Sequence, residues 1–276
     1  MKNIVLLIIP LFFAIGCGRP KGFTLDKITS SYERDPRWEV KNTLSQNELQ
    51  KLFEGPYTYL GSGNHTYAFE SPDGKVVIKF FKQKHMNAQK SFISLKTKQK
   101  RIIERDESFS SYKLAFEKLR EETALLYLHL NPTDFLHRTL VLIDQNGKEQ
   151  TVNLDKMEFL VQKKATLSLD HLERLFSENS YDEALFALRS LLHLVAKRNQ
   201  MGIYDKDLQF YKNFGFIENH AVEIDIGEFR LGKAVRPTYE ELQELSLQLK
   251  DFIQKNAPEF FPIATSIIDK DIESYQ

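Results

Sequence analysis

Two carboxylates and an amide stand close together in residues 202–230, GIYDKDLQFYKNFGFIENHAVEIDIGEFR: Asp207, Asn213 and Asp225. Hard oxygen donors of these types suit Mg²⁺, and a further carboxylate beside them can act as a base. The spacing says how they are presented. Gly202 can close a helix, because glycine tolerates the left-handed C′ position. A polar loop with Asp205, Lys206 and Asp207 then runs to Asn213. Residues 214–218 and 221–224 read as two short strands joined at Asn219-His220. The second strand delivers Asp225, and Ile226-Gly227 lets the chain bend away. The unit is a loop and a hairpin with one carboxylate at each end and an asparagine between them.

These residues resemble motifs of the protein-kinase-like superfamily. Asp207-Leu208 with Asn213 resembles the catalytic-loop pattern H-R-D-L-x-x-x-N, and Asp225-Ile226-Gly227 resembles D-F-G. Asp205 stands in the place of the family's His, Lys206 replaces Arg, and Ile226 replaces Phe. Asn213 lies one residue further from Asp207 than the pattern asks.

The elements upstream must then supply the remaining parts in order. Residues 57–69 and 75–81 read as a three-strand meander with a turn at Pro72-Asp73-Gly74. Its first turn, Gly61-Ser62-Gly63, lets backbone approach a phosphate closely; the family's third glycine is Thr66 here. Val76-Val77-Ile78-Lys79 resembles the V-A-I-K strand. A lysine in an apolar strand needs a partner, since an unpaired buried ammonium is costly. Residues 112–130 are expected to be a helix stopped by Pro132, with Leu119, Leu125, Leu126 and Leu128 as its apolar surface. Glu117, Glu121 and Glu122 on it are candidates to hold Lys79. Glu122 sits where kinases place the corresponding glutamate, with Glu121 the alternative.

Strands follow at residues 139–143 and 158–162, with a hairpin turn at Asn146-Gly147. Gln162-Lys163-Lys164 falls at the position of a kinase hinge. Residues 169–176 form a short helix. A longer one opens at Ser180-x-x-Glu183 and carries Leu188, Leu191, Leu192 and Val195 to Gly202. Its His193 reads as an ordinary core or surface side chain. Pro237 and Thr238-x-x-Glu241 begin an amphipathic helix with Leu242, Leu245, Leu249 and Phe252, and a last helix covers residues 264–269.

The resemblance implies an α+β, two-lobed protein-kinase-like fold, with an antiparallel-sheet N-lobe at residues 51–162 and a mainly helical, shortened C-lobe at 163–276. It implies that Glu122 pairs Lys79, that Lys79 and the Gly61–Gly63 backbone hold the phosphates of ATP, and that Asn213 and Asp225 hold Mg²⁺. Asp207 would accept the proton of a hydroxyl acceptor. Only 51 residues follow Asp225. That is short for a peptide-docking platform and resembles the compact kinases of lipopolysaccharide-core sugars. The expected activity is γ-phosphate transfer to a sugar or other small molecule. Two other readings stay open on the sequence: a non-catalytic pseudokinase module on the envelope, and a compact Ser/Thr/Tyr protein kinase.

Composition bounds the rest. Lys+Arg and Asp+Glu balance at 38 each, so no global field points to nucleic acid. Residues 82–105 are locally basic, which reads as a solvated face. At the N-terminus, Lys2 precedes an apolar run over residues 4–15 that ends in Ala14-Ile15-Gly16-Cys17, and Cys17 is the only cysteine. A run this short fits a signal-peptide core better than a span of about 20 residues. Residues 1–17 therefore read as a signal peptide with a lipobox-like end. Lipidation of Cys17 would make an exported, membrane-associated lipoprotein; an uncleaved anchor with the domain on the cytoplasmic face is the alternative. Residues 18–50 read as a tether, pinned by Trp38, and a short helix opened by the capping box Ser45-x-x-Glu48.

Overall fold

The computed structural model describes residues 22–30, 32–86, 93–232 and 237–275. The apolar N-terminal run and Cys17 lie outside them. Among the described residues no helix is long and apolar enough to cross a membrane.

The N-terminal half begins with α1 (Gln46–Leu52), capped as expected: the Ser45 hydroxyl accepts the Glu48 N–H and the Glu48 carboxylate accepts the Ser45 N–H. Next come β1 (Tyr57–Ser62), β2 (Thr66–Glu70) and β3 (Val76–Phe81), then α2 (Gln83–Met86) and α3 (Leu95–Lys118). β4 (Leu125–His129), β5 (Thr139–Ile143), β6 (Glu149–Asn153) and β7 (Phe159–Lys163) complete a seven-stranded sheet in the order β4-β7-β3-β2-β1-β5-β6. All its pairs are antiparallel except β1 with β5. In β3, Lys79 is flanked by Ala68 on β2 and Leu160 on β7.

The helix expected over residues 112–130 is corrected. α3 starts further upstream, at a Ser94 cap, and ends at Lys118. The chain then turns, with Ala124 at φ 52°, and residues 125–129 are a strand beside β7. Leu125, Leu126 and Leu128 fit a helical stripe, but they serve equally in a strand buried on both faces. Arg120 fixes the turn by donating to the carbonyls of Leu125 and Leu126.

The described residues of the segment expected to be a tether pack into the fold. Phe23 and Ile28 are fully buried, with Phe23 edge-on to Phe69. Trp38 meets Phe109 of α3 edge-on at 5.5 Å. The Asn42 amide pairs with both backbone groups of Leu128.

The second half is mainly helical. It contains β8 (Thr166–Leu167), α4 (Ser168–Ser177), α5 (Tyr181–Gln200), β9 (Ile203–Asp205), α6 (Phe210–Asn213), β10 (Phe214–Ile217), β11 (His220–Glu223), β12 (Phe229–Leu231), α7 (Thr238–Asn256) and α8 (Phe261–Glu273). One apolar core joins Leu188, Leu191 and Val195 of α5 to Leu242, Leu245 and Leu249 of α7. α5 begins where Ser180 predicts, though without a side-chain cap. α8 is longer than the sequence suggests. The α+β class and two-lobed organisation expected from the sequence are those of the structure.

A buried carboxyl joins three pieces of the first half. Glu158 accepts from the Ser30 hydroxyl and from the Gln83 amide at 2.9 Å. Burial pushes its pKa from the ordinary 4.5 up to about 7, against those hydrogen bonds. The folded-state value lies above the unfolded one. Its stability contribution is therefore complete below about pH 4.5 and is lost as pH climbs through about 7. Glu158→Gln should remove that slope and, at pH 8, leave the protein up to about 3 kcal/mol more stable than wild type. Urea midpoints of both proteins at pH 5, 6, 7 and 8 measure this, and parallel curves would refute it.

Candidate active site

The site is built where three loops meet. Gly202 ends α5 at φ 71°, as its type predicts. β9 then pairs with β12, placing Asp205 opposite Phe229. This ladder holds the chain before Asp207 against the chain after Asp225.

Asn213 joins the two acidic loops. Its side-chain amide donates to the Asp207 carbonyl. Its own carbonyl accepts the N–H groups of Ile224 at 2.7 Å and Asp225 at 3.3 Å. The extra residue between Asp207 and Asn213 is absorbed by the single turn α6, closed by Asn213 N–H to Gln209 O at 2.9 Å. The Gln209 amide donates to the Asp207 carboxylate at 2.5 Å. Asp207 and Asp225 are exposed, while Asn213 is buried.

Lys79 reaches across from β3. Its ammonium donates to Ile224 O at 2.7 Å, the residue before Asp225. Burial pushes its pKa down to about 8, and the Asp225 charge pulls the other way. The structure thus brings Lys79, Asp207, Asn213 and Asp225 to one locus. The turn expected at Gly61-Ser62-Gly63 is corrected: Gly61 lies in β1 opposite Ala68 of β2, and only Gly63 is in the turn between the strands, though a Cβ on either glycine would meet nothing within 4 Å. Packing does not demand these glycines. The turn is pinned by Lys82, which donates to Ser62 Oγ at 2.7 Å and to the Gly63 carbonyl. At its base, the His65 ring lies 3.7 Å from where a Cβ on Gly227 would stand.

Glu122 is not part of this locus. It falls in the turn after α3 and pairs with Lys197 of α5. Glu117 and Glu121 are exposed and do not meet Lys79 either. Among the described residues Lys79 forms no ion pair. The expected register rested on the helix running to residue 130, and the helix stops short of it. The face that α3 turns inward carries Ser108, Ser111 and Tyr112 instead. The Tyr112 hydroxyl is 3.8 Å from the same Cβ position on Gly227. Its pKa is raised well above the ordinary value by burial, then by the charges of Asp225 and Glu228.

Beneath the loops lies a cluster that the sequence reading missed. Arg198 of α5 has no exposed surface. It pairs with Glu223 of β11 at 2.6 Å and with Glu241 of α7, and it lies 3.8 Å from Asp205 of β9. Asn199 adds a hydrogen bond to Glu241 at 2.7 Å. Burial holds the Glu223 carboxyl well above the usual range, with Asp205 and Glu241 adding to the rise and Arg198 opposing it. Asp205 is raised too, mainly by burial. A signal existed: Arg198 continues the buried stripe of Leu191 and Val195, where a charge requires partners. Glu241, read from the sequence as part of the start of an amphipathic helix, turns into the core.

As metal donors, Asp225 and Asn213 make a sparse set. Among the described residues no group of three or more His, Cys, Asp or Glu side chains is placed to hold a metal ion. One carboxylate and one amide oxygen suit an ion held mainly by phosphates and water, which is how Mg²⁺ is usually bound.

Removing Arg198 would leave three carboxylates without their counter-charge. Arg198→Leu should cost about 3–5 kcal/mol in urea unfolding. Arg198→Lys, which keeps the charge but loses the fork, should cost less. Equal stability of Arg198→Leu and wild type would show that the cluster does not hold the lobe.

No protein-family model matches the sequence, and no curated protein matches it. Among solved structures, several of WbdD are similar. A medium-resolution structure of WbdD, described as a bifunctional kinase-methyltransferase, has a TM-score of 0.40 and 13% identity, covering 76% of this chain and 43% of that one. WbdD crystallised with the kinase inhibitor LY294002 gives 0.37 and 15%, over 78% and 45%. A 2.2 Å structure of WbdD gives 0.36 and 16%, over 78% and 45%. The chain therefore spans less than half the length of the WbdD chains it is compared with.

Proposed function

We propose that this chain is an ATP-dependent phosphotransferase that moves the γ-phosphate to a hydroxyl of a sugar or other small molecule. The observation that carries this reading is the Asn213 junction, which holds the Asp207 and Asp225 loops together beside Lys79. Lys79 would hold the α- and β-phosphates, and the open backbone of Gly61 and Gly63 would lie over them. Asp225 and Asn213 would hold Mg²⁺. When bound, Mg²⁺–ATP supplies the transferable phosphoryl group and the charge neutralisation that its transfer needs. Asp207 would orient the acceptor hydroxyl and take its proton, with the Gln209 amide setting the direction of its carboxylate. The acceptor class follows from the chain's economy. Only residues 232–237 separate β12 from α7, which leaves little chain for a peptide-docking platform.

A second reading has its own observation. No carboxylate of α3 meets Lys79, so the chain would bind nucleotide without transferring phosphate. Turnover with sugar, lipid-linked and peptide acceptors separates the two. The N-terminal run ending at Cys17 is read as a lipidated anchor, which incorporation of a labelled fatty acid into Cys17 would test.

Calorimetric titration with ATP, with and without Mg²⁺, tests the site. Asp225→Asn should abolish the Mg²⁺-dependent part of binding and all turnover, and Lys79→Ala should weaken both. Glu122→Gln should leave both within about twofold, since its pair with Lys197 is half-exposed and worth about 1 kcal/mol or less. The pH dependence has a fixed sign. Phosphate beside Lys79 favours its charged form and raises its pKa above about 8. Binding above pH 8 should therefore take up a proton, and affinity should fall by up to about tenfold per pH unit there. Wild-type turnover in Asp225→Asn, or proton release on binding at pH 9, would remove the assignment.

A further inference from the structure

α3 offers Lys79 no carboxylate, yet one of its hydroxyls is bonded to the loop that carries Asp225. Ser111 is fully buried. Its hydroxyl donates to the carbonyl of Ile226, and its oxygen accepts the N–H of Phe229 at 2.7 Å. One side chain thus closes the turn around Gly227 and Glu228 from both sides. Ile226 and Phe229 are themselves buried in the core beside Tyr112 and Phe109, so water has little access to replace either bond. Phe229 is also the first residue of β12 and stands opposite Asp205. Ser111 therefore touches the Asp225 loop and the ladder that leads back to Asp207.

We infer that Ser111 is a positioning residue. It fixes the Asp225 carboxylate relative to α3, where no ion pair from this helix to Lys79 does so. The inference rests on the reading of Asp225 as the metal-holding residue. Its chemistry is specific to a hydroxyl, because one atom must donate to a carbonyl and accept from an amide at once. A buried carbonyl and amide left unpaired would let the turn leave its place.

The same helix provides a control. Ser108, one turn earlier, is also buried, and its hydroxyl has no hydrogen-bond partner among the described residues. The full-length protein would be compared as wild type, Ser111→Ala, Ser111→Thr and Ser108→Ala. Two quantities would be measured: the Mg²⁺ dependence of ATP binding, and hydrogen exchange of the amides at 225–231. Ser111→Ala should raise the Mg²⁺ concentration needed for half-maximal effect by about tenfold. Its affinity for ATP without Mg²⁺ should stay within about twofold. Exchange at 225–231 should quicken, with the β10–β11 hairpin unchanged. Ser111→Thr should restore part of both, and Ser108→Ala should alter neither.

A general loss of packing would instead weaken binding with and without Mg²⁺ and quicken exchange in the hairpin too, and that result overturns the proposal. Wild-type Mg²⁺ dependence in Ser111→Ala also overturns it, while leaving the phosphotransferase reading intact. If wild type binds no nucleotide at all, the reading of the site falls and takes the metal-positioning role with it. Exchange confined to 225–231 in Ser111→Ala would then still show the clamp as a structural tie.

Discussion

Arg198 is the constraint around which the second half of this molecule closes. A guanidinium without exposed surface is costly to desolvate, and well-placed carboxylates offset that cost. It donates to carboxylates of β11 and α7 and lies 3.8 Å from one on β9, while the arginine itself comes from α5. Two of these carboxylates stand two residues before a carboxylate of the candidate site: Asp205 before Asp207, and Glu223 before Asp225. The cluster is thus the footing of both acidic loops. It holds more negative than positive charge. Burial answers that by keeping the Glu223 carboxyl well above its usual range, so one acid tends to retain its proton.

The upper wall of the site is organised differently. The inward face of α3 is hydroxyls and rings rather than carboxylates. Lys79 is therefore placed by backbone, through Ile224 O, and by the nearby charge of Asp225. The two lobes communicate through hydrogen bonds to main chain at residues 224, 226 and 229. Main-chain acceptors carry no net charge, which leaves the lysine's charge more available to an anionic ligand than a buried glutamate partner would.

Much of the frame was legible because turn chemistry is local. Pro72-Asp73-Gly74 and Asn146-Gly147 marked hairpins, Gly202 marked the end of α5, Lys79 fell on the strand expected of it, and Asp225 follows the expected hairpin. What failed was register and long-range pairing. Leu125, Leu126 and Leu128 satisfy both helical and extended patterns, and the choice between them was made by β7, which no local pattern contains. Glu122 was misplaced as a direct result. Residues 22–42 lack periodicity, so their docking through Phe23, Ile28 and Trp38 could be read only from the core they fill. Arg198 was hidden because a single charge in an apolar helix tells nothing of its partners, which lie 25 and 43 residues further along the chain.

Those separations bear on how the protein is made. A chain emerging from its N-terminus completes α5 well before α7 exists. Until Glu241 arrives, Arg198 lacks one of its acceptors, and closing the lobe would bury a charge that is incompletely paired. Lys79 waits still longer in relative terms, since its partner carbonyl lies 145 residues away. Contacts of such span close late, after the loop entropy between them has been lost. The site therefore depends on contacts of long span, and a chain that ends before α7 carries the named side chains up to Asp225 without the Glu241 that completes the footing beneath them.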